Sequence, residues 1–411
     1  QTTPTMNPIV GTVFSARMLV ALLMGFSSGL PLLLTGSVLQ AWMTDEGVDL
    51  GTIGLFALVG LPYTLKFLWA PLTDRFGVPL LGRRRGWLLA VQLLLMVAIA
   101  ALGWTQPAES PLVVAMAAWL VTFFSASQDI VIDAYRREAL ADNELGLGAS
   151  LYVNGYRIGM LLASGGGLIL ADFMPFSAVY QLMAMCMLVG IATTLFAPEP
   201  EMATGVPRNL REAVIHPFVD YFHRRHALLI LLFILLYKVG DTMASHMTTP
   251  FYLDIGFSKT EIGAVVKLFG FWATVVGGML GGIFILRTGI YRALWGFGIL
   301  QALSTAGFAL LAVIGYSLPM LAGVIAFENL TAGMGTAAFV AFMATLTNRK
   351  FTATQYALLS SLMGIPRVIV AAPTGYVAEW LGWSVFFLGC ALIAVPGLLL
   401  LTRFRDWLAE G

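Results

Sequence analysis

Two stretches, TDEGVDLGTIG at 44–54 and LDIGFSKTEIG at 253–263, read alike. They stand about 210 residues apart, and other pairs keep that offset. DRFG (74–77) faces LRTG (286–289), Gln92 faces Gln301, and GYR (155–157) faces IPR (365–367). A correspondence that long predicts two copies of one multi-helix unit. The 411 residues are 59% hydrophobic and 11% charged, with a mean hydropathy of +0.85. Soluble domains carry about 25% charged residues. Apolar runs near the length that crosses a bilayer recur from end to end. The chain reads as an all-α, polytopic membrane protein. Cys186 and Cys390 each lie in an apolar run and read as structural thiols.

The apolar runs predict twelve spans, at 16–43, 49–73, 86–104, 112–138, 145–172, 176–196, 227–253, 259–287, 291–314, 319–347, 352–380 and 383–402. The longest break, 197–226, is polar and holds an amphipathic stretch suited to a membrane face. The expected organisation is a six-helix bundle over 1–196, a linker over 197–226 and a second six-helix bundle over 227–411. Cations set the orientation. Arg75, Arg83, Arg84, Arg85, Arg136, Arg137, Arg287, Arg292, Arg349 and Lys350 all fall on the side of the amino terminus, whereas the opposite loops hold Lys259 beside Asp45, Asp49 and Asp254. By the positive-inside rule both termini are cytoplasmic. Two parallel six-span repeats joined by a cytoplasmic linker resemble the plan of major facilitator transporters. DRFGVPLLGRRRGW (74–87) resembles that superfamily's signature loop, although a basic loop on the positive side would also read this way.

Nine charges remain within the spans: Lys66, Asp129, Asp133, Arg157, Lys238, Asp241, Lys267, Glu328 and Arg367. Each costs roughly 3 kcal/mol or more at the bilayer centre. Spans three, six, nine and twelve carry none, as expected of outer helices around a central cavity. In LYKVGDTMASH (236–246), Lys238 and Asp241 stand at i, i+3 on one expected helix face. They either pin span seven against a neighbour or open and re-form as substrate carboxylate or a proton arrives. Gly240 aligns with Pro31 of span one, and such residues at matching places mark broken helices near a midplane site.

In SASQDIVIDAYRR (125–137), Asp129 and Asp133 stand at i, i+4. Asp133 lies three residues before Arg136, which favours a structural ion pair. Asp129 is deeper, with no cation one turn away on its own helix. It is the expected proton-coupling acid, followed by Asp241 and Asp133. Arg157 and Arg367 are repeat-related at the centre. With Lys66, Lys238, Lys267, Gln128 and Glu328 they form the expected binding set, whose five cations suit an anionic solute. Trp42, Tyr63, Tyr156, Tyr237 and Trp272 are at similar levels, and Tyr63 and Trp272 are the expected ring-stacking members. GFSSG (25–29) fits G-x-S-x-G, yet a nucleophile elbow needs a strand-to-helix turn. Close helix packing is the simpler reading. An intramembrane serine hydrolase using Ser27 and His246 is the enzyme alternative. His216, His223 and His226 show no metal-ligand spacing, and neither metal nor cofactor is expected.

Several segments together, GFSSGLPLLLTGSVLQAWM, LKFLWAPLTDRF, SASQDIVIDAY, LYKVGD, AFENLTAGMGTAAFVA and TATQYALLSSL, resemble the AmpG muropeptide permease family along essentially all twelve spans. The resemblance implies a proton-driven importer of N-acetylglucosaminyl-1,6-anhydro-N-acetylmuramyl peptides in the bacterial inner membrane. It also implies service to peptidoglycan recycling and a link to β-lactamase induction. The implied partners are this anionic glycopeptide, protons and the lipid bilayer. No nucleic acid is expected, and the expected state is a monomer. Members of that family continue beyond span twelve into further helices, whereas this sequence ends RFRDWLAEG. LKFLWAPLTDRF also resembles the acetyl-coenzyme A transporters, the alternative substrate class. A solute-sensing receptor that moves nothing is the remaining alternative.

Overall fold

The computed structural model describes residues 8–48, 52, 56–171, 173–201, 209–257, 261–362, 364 and 374–405. The chain folds as twelve membrane spans in two six-helix repeats. Among the described residues nine helices are long and apolar enough to cross a bilayer, from Ala16–Leu34 to Trp383–Phe404. The remaining three, spans two, five and eleven, are shorter or interrupted pieces. Span two runs as short segments over Phe56–Gly60, Leu61–Leu65, Lys66–Leu68 and Ala70–Arg75. Pro62 and Pro71 lack the amide hydrogen that a continuous ladder needs. Span five is helical over Leu145–Leu161 and passes through a wider π turn at Leu162–Gly166. Span eleven is described at its two ends, Thr352–Leu362 and Thr374–Leu381.

Spans one and seven are both broken. Span one is helical over Ala16–Gly29, tightens at Leu32–Leu34 after Pro31, and resumes over Ser37–Asp45. Span seven breaks at Lys238, between Ala227–Tyr237 and Val239–Asp254. Gly240 lies past that break, inside the second helix. Its lack of a side chain serves a different purpose, since a Cβ there would run into the carbonyl oxygen of Cys390. The linker forms the helix Leu210–Phe222, with Ala213 and Pro217 buried and Val214, Ile215 and Val219 exposed.

Contacts divide the chain into two compact units. The first contains 1–141, 151–219 and 344–361; the second contains 142–150, 220–343 and 362–411. Inside the first, span one lies backbone to backbone on span five. A Cβ at Gly25 or Gly29 would strike the carbonyls of Tyr152 or Tyr156, and one at Gly155 or Gly159 those of Leu22 or Phe26. With no apolar solvent effect to join helices in lipid, such close approach supplies dispersion contact directly. Its core gathers Leu30, Leu34, Trp42, Leu95, Ile99 and Tyr180. In the second unit Phe251, Tyr252, Phe308, Ile325 and Phe387 form the core.

Backbone cannot swing aside as a side chain does. Gly25→Ala is therefore expected to lower stability by about 1–3 kcal/mol. Gly296 in span nine has open space around it. Gly296→Ala is expected to leave stability unchanged or slightly raised. Thermal unfolding of the purified protein in detergent checks both.

Candidate functional site

Span four, Pro111–Ala139, is an unbroken helix that carries most of the polar groups of the first unit. Asp129 and Asp133 point the same way from it and are buried. Ser28 of span one donates to Asp129 Oδ1, and its Oγ lies 3.1 Å from the hydroxyl of Tyr152 in span five. Lys66 of span two attracts both carboxylates. Asp129 is alone along its own helix, but a cation does face it from another. Asp133 accepts from Arg136 at 3.1 Å. The Arg136 guanidinium lies 4.1 Å from the centre of the Tyr152 ring and donates to Tyr356 at 3.1 Å. One tyrosine thus touches both acid systems, with its hydroxyl toward Asp129 and its face under Arg136.

The other expected residues of this unit have varied surroundings. Gln128 is fully buried, and its amide is taken up within the protein. Its oxygen accepts from Ser27 (2.7 Å) and Gln92 (3.1 Å), and its nitrogen donates to the Ser27 carbonyl. That bonding ties four helices together, since Thr194 of span six donates to Gln92. In this structure Gln128 therefore joins spans one, three and four. Tyr63 donates to Ser125 at 2.8 Å. Arg157 is half-buried, and its Nη1 is buried with no hydrogen-bond partner among the described residues. Trp42 is buried against Phe176 and Tyr180. Ser27 lies in a continuous helix, so GFSSG is a packing motif and not an elbow.

In the second unit, Lys238 sits at the break in span seven. Its Nζ donates to Gln301 Oε1 (3.3 Å) and Thr336 Oγ1 (3.5 Å). Asp241 lies within hydrogen-bond reach of Glu328 in span ten. Ser304 contacts Glu328 Oε2 at 2.5 Å. The helix is irregular at Lys238, yet the Thr242 amide still donates to the Lys238 carbonyl at 3.0 Å. Lys238 and Asp241 therefore stay one turn apart while their side chains meet residues of other spans. Asp241 Oδ1 and Gln301 Nε2 are buried with no hydrogen-bond partner among the described residues. Tyr237 stacks on Phe339 and donates to the Leu294 carbonyl, which makes it packing. Trp272 is exposed on an apolar groove with Phe269, Val276 and Phe327. Arg367 and the Lys267 and His246 side chains lie outside the described residues. Among the described residues no three His, Cys, Asp or Glu side chains gather as metal ligands.

A further cluster of the first unit centres on Asp74, which opens the signature-like loop and reads in the sequence as a loop residue. Asp74 is fully buried and accepts from Arg83 (3.1 Å) and Arg84 (2.8 Å). It also accepts from the backbone amides of Ala353 (3.2 Å) and Thr354 (2.9 Å) and from the Thr354 hydroxyl (2.8 Å). A carboxylate at the first turn of Thr352–Leu362 meets amides that have no partner within the helix, and the favourable end of its dipole. Glu138 receives Arg84 through two bonds at 2.8 and 2.9 Å. Glu199 receives the backbone amides of Arg84 and Arg85. The signature-like loop is therefore a buried ion network as well as a basic loop.

A profile of the Major Facilitator Superfamily matches residues 17–327. The fold is also that of the fucose:proton symporter of Escherichia coli, with a TM-score of 0.74 at 12% identity over 94% of this chain and 98% of that one. Fold and profile define a membrane transporter and not an enzyme. The anhydromuropeptide permease of Escherichia coli K12 is 49% identical over 394 residues, 95% of this chain and 80% of the relative. A Rickettsia bellii transporter named AmpG 1 is 32% identical over 404 residues, 94% of this chain and 98% of the relative. The chain belongs to the AmpG permease family of the major facilitator superfamily.

Removing one partner from a buried ion network strands the others. Asp74→Asn leaves Arg83 and Arg84 with Glu138 alone and is expected to destabilise the protein by about 3–5 kcal/mol. Thr354→Val removes a single hydroxyl bond and is expected to lose about 1 kcal/mol. Melting temperatures in detergent rank the two.

Proposed function

We propose that the chain imports anhydromuropeptides across the bacterial inner membrane together with protons, with both termini in the cytoplasm. The observation that carries this reading is the 49% identity to an anhydromuropeptide permease along 95% of the chain. The buried groups support it. Asp129, next to Lys66 and within reach of Ser28, is the coupling acid, and Asp241 beside Glu328 supplies a further carboxyl in the second unit. Arg157, whose buried Nη1 has no partner among the described residues, holds a carboxylate of the peptide, and Arg367 and Lys238 serve the same anionic cargo. Uptake of labelled disaccharide tripeptide into proteoliposomes tests the reading, with an inward proton gradient and without one. Acetyl-coenzyme A serves as the competing cargo. Accumulation of the glycopeptide that grows with the gradient is the expected result. Uptake indifferent to the gradient, or preference for acetyl-coenzyme A, would overturn it.

Asp129→Asn keeps the shape of the side chain and removes its titration. It is expected to insert normally and to abolish accumulation above the outside concentration, which the same vesicles measure.

Arg157→Gln is expected to weaken binding of the tripeptide-bearing cargo about tenfold or more, the worth of one charge-assisted hydrogen bond. The peptide-free disaccharide is expected to bind as before. Competition binding with the two ligands checks this, and an equal loss for both would assign Arg157 to the fold.

A further inference from the structure

Asp129 is buried, yet a chain of hydroxyls leads away from it. The hydroxyl hydrogen of Ser28 is directed at Asp129 Oδ1. Ser28 can then only accept from Tyr152 Oη, 3.1 Å away. In this arrangement the hydrogens point from phenol to alcohol to carboxylate, the order that delivers a proton to Asp129, and release starts with both hydroxyls turned the other way. Tyr152 also lines a cavity of about 490 Å³ whose other walls include Arg17, Tyr135, Arg136, Glu138 and Glu199. Those walls are charged and roomy enough to hold water. Ser28, Asp129 and Tyr152 are nearly inaccessible, and Tyr152 is the member of this chain that lines the cavity.

We propose that Ser28 and Tyr152 form a proton path between Asp129 and this cavity. The proposal rests on the proton-coupled reading above. For release, Asp129 carries the proton and donates it to Ser28 Oγ. Ser28 passes its own hydrogen to Tyr152 Oη, and Tyr152 passes its hydrogen to water in the cavity. Each oxygen loses one hydrogen as it gains another, so the hydroxyls are restored and the carboxylate is left ionised. Uptake is the same sequence in reverse. The charged and titratable groups around Tyr152 are Asp129, Asp133, Arg136 and Tyr156, with Lys66 facing the two acids and Tyr356 on Arg136. Arg136 over the ring face steadies negative charge that gathers on the phenol during transfer. Both residues are positioning residues that act through Asp129.

Tyr152→Phe removes the hydroxyl and keeps the ring beneath Arg136. It is expected to lower gradient-driven uptake about tenfold or more, the usual worth of a positioned proton-transfer group. Cargo exchange across vesicles without a gradient should keep its rate and half-saturation. Ser28→Ala should behave alike, and the double variant no worse than either, because both break one chain. The pH profile of uptake and its response to heavy water are recorded for each protein. Gradient-driven uptake and a pH profile of wild-type form in Tyr152→Phe would overturn the path. So would equal losses in gradient-driven uptake and exchange, which would make the hydroxyl structural. If Ser28→Ala fails to insert, Tyr152→Phe alone decides. A wild-type protein that ignores the gradient would remove the coupled reading and the path together, whereas a wild-type response preserved in Tyr152→Phe would remove the path alone.

Discussion

A carboxylate inside a bilayer must find its hydrogen-bond donors within the protein, because no bulk water supplies them. In the first unit this requirement decides which helices meet. Asp74 ends span two and fills its lone pairs from the start of span three and the first turn of span eleven. Asp129 on span four takes its donor from span one and the charge of Lys66 from span two, and Asp133 is tied to Arg136 one turn on. Apolar packing alone would let helices slide and rotate at small cost. The buried acids fix register and rotation, since a donor displaced by one residue would leave a charge without a partner.

The helices divide into straight and interrupted ones at matching places in the two halves. Spans one and seven are broken, span two is a string of short pieces, and span eight begins as a π segment at Ile262–Phe269. Spans three, four, nine and ten run without a break. The straight helices carry Asp129 and Glu328, whose positions must be held. The interrupted ones bring Pro31, Lys66 and Lys238, where backbone geometry departs from the regular ladder. A rigid acid beside a deformable cation-bearing helix is a sensible division for a protein that must alternate between states.

Much of this was legible in the sequence. Twelve spans and two repeats followed from apolar run length and from the offset between TDEGVDLGTIG and LDIGFSKTEIG. Asp129 stood out because a charge in an apolar run is conspicuous. Its partners did not stand out, since Ser28 and Tyr152 are neutral and look like any other residue of a membrane helix. Lys66 was noticed, but its nearness to Asp129 depends on how span two leans, which spacing along one helix does not encode. Lys238 and Asp241 keep the one-turn spacing that the sequence implies. That spacing does not encode that Lys238 meets Gln301 and Thr336 and that Asp241 meets Glu328 on other spans. Asp74 reads as a loop residue because polarity at the end of a span looks like solvent exposure, yet it is fully buried. The buried hydroxyl on the far side, Thr354, is 280 residues away in the chain.

That separation matters during synthesis. The first unit takes its last piece, 344–361, from a stretch made only after spans seven to ten. Asp74 and its two arginines are therefore in place early, while the amides of Ala353 and Thr354 arrive late. Until then the carboxylate lacks part of its donor set. A nascent chain stalled before residue 352 would leave an unfinished first half as well as a missing second one. The order of manufacture and the order of completion are thus not the same.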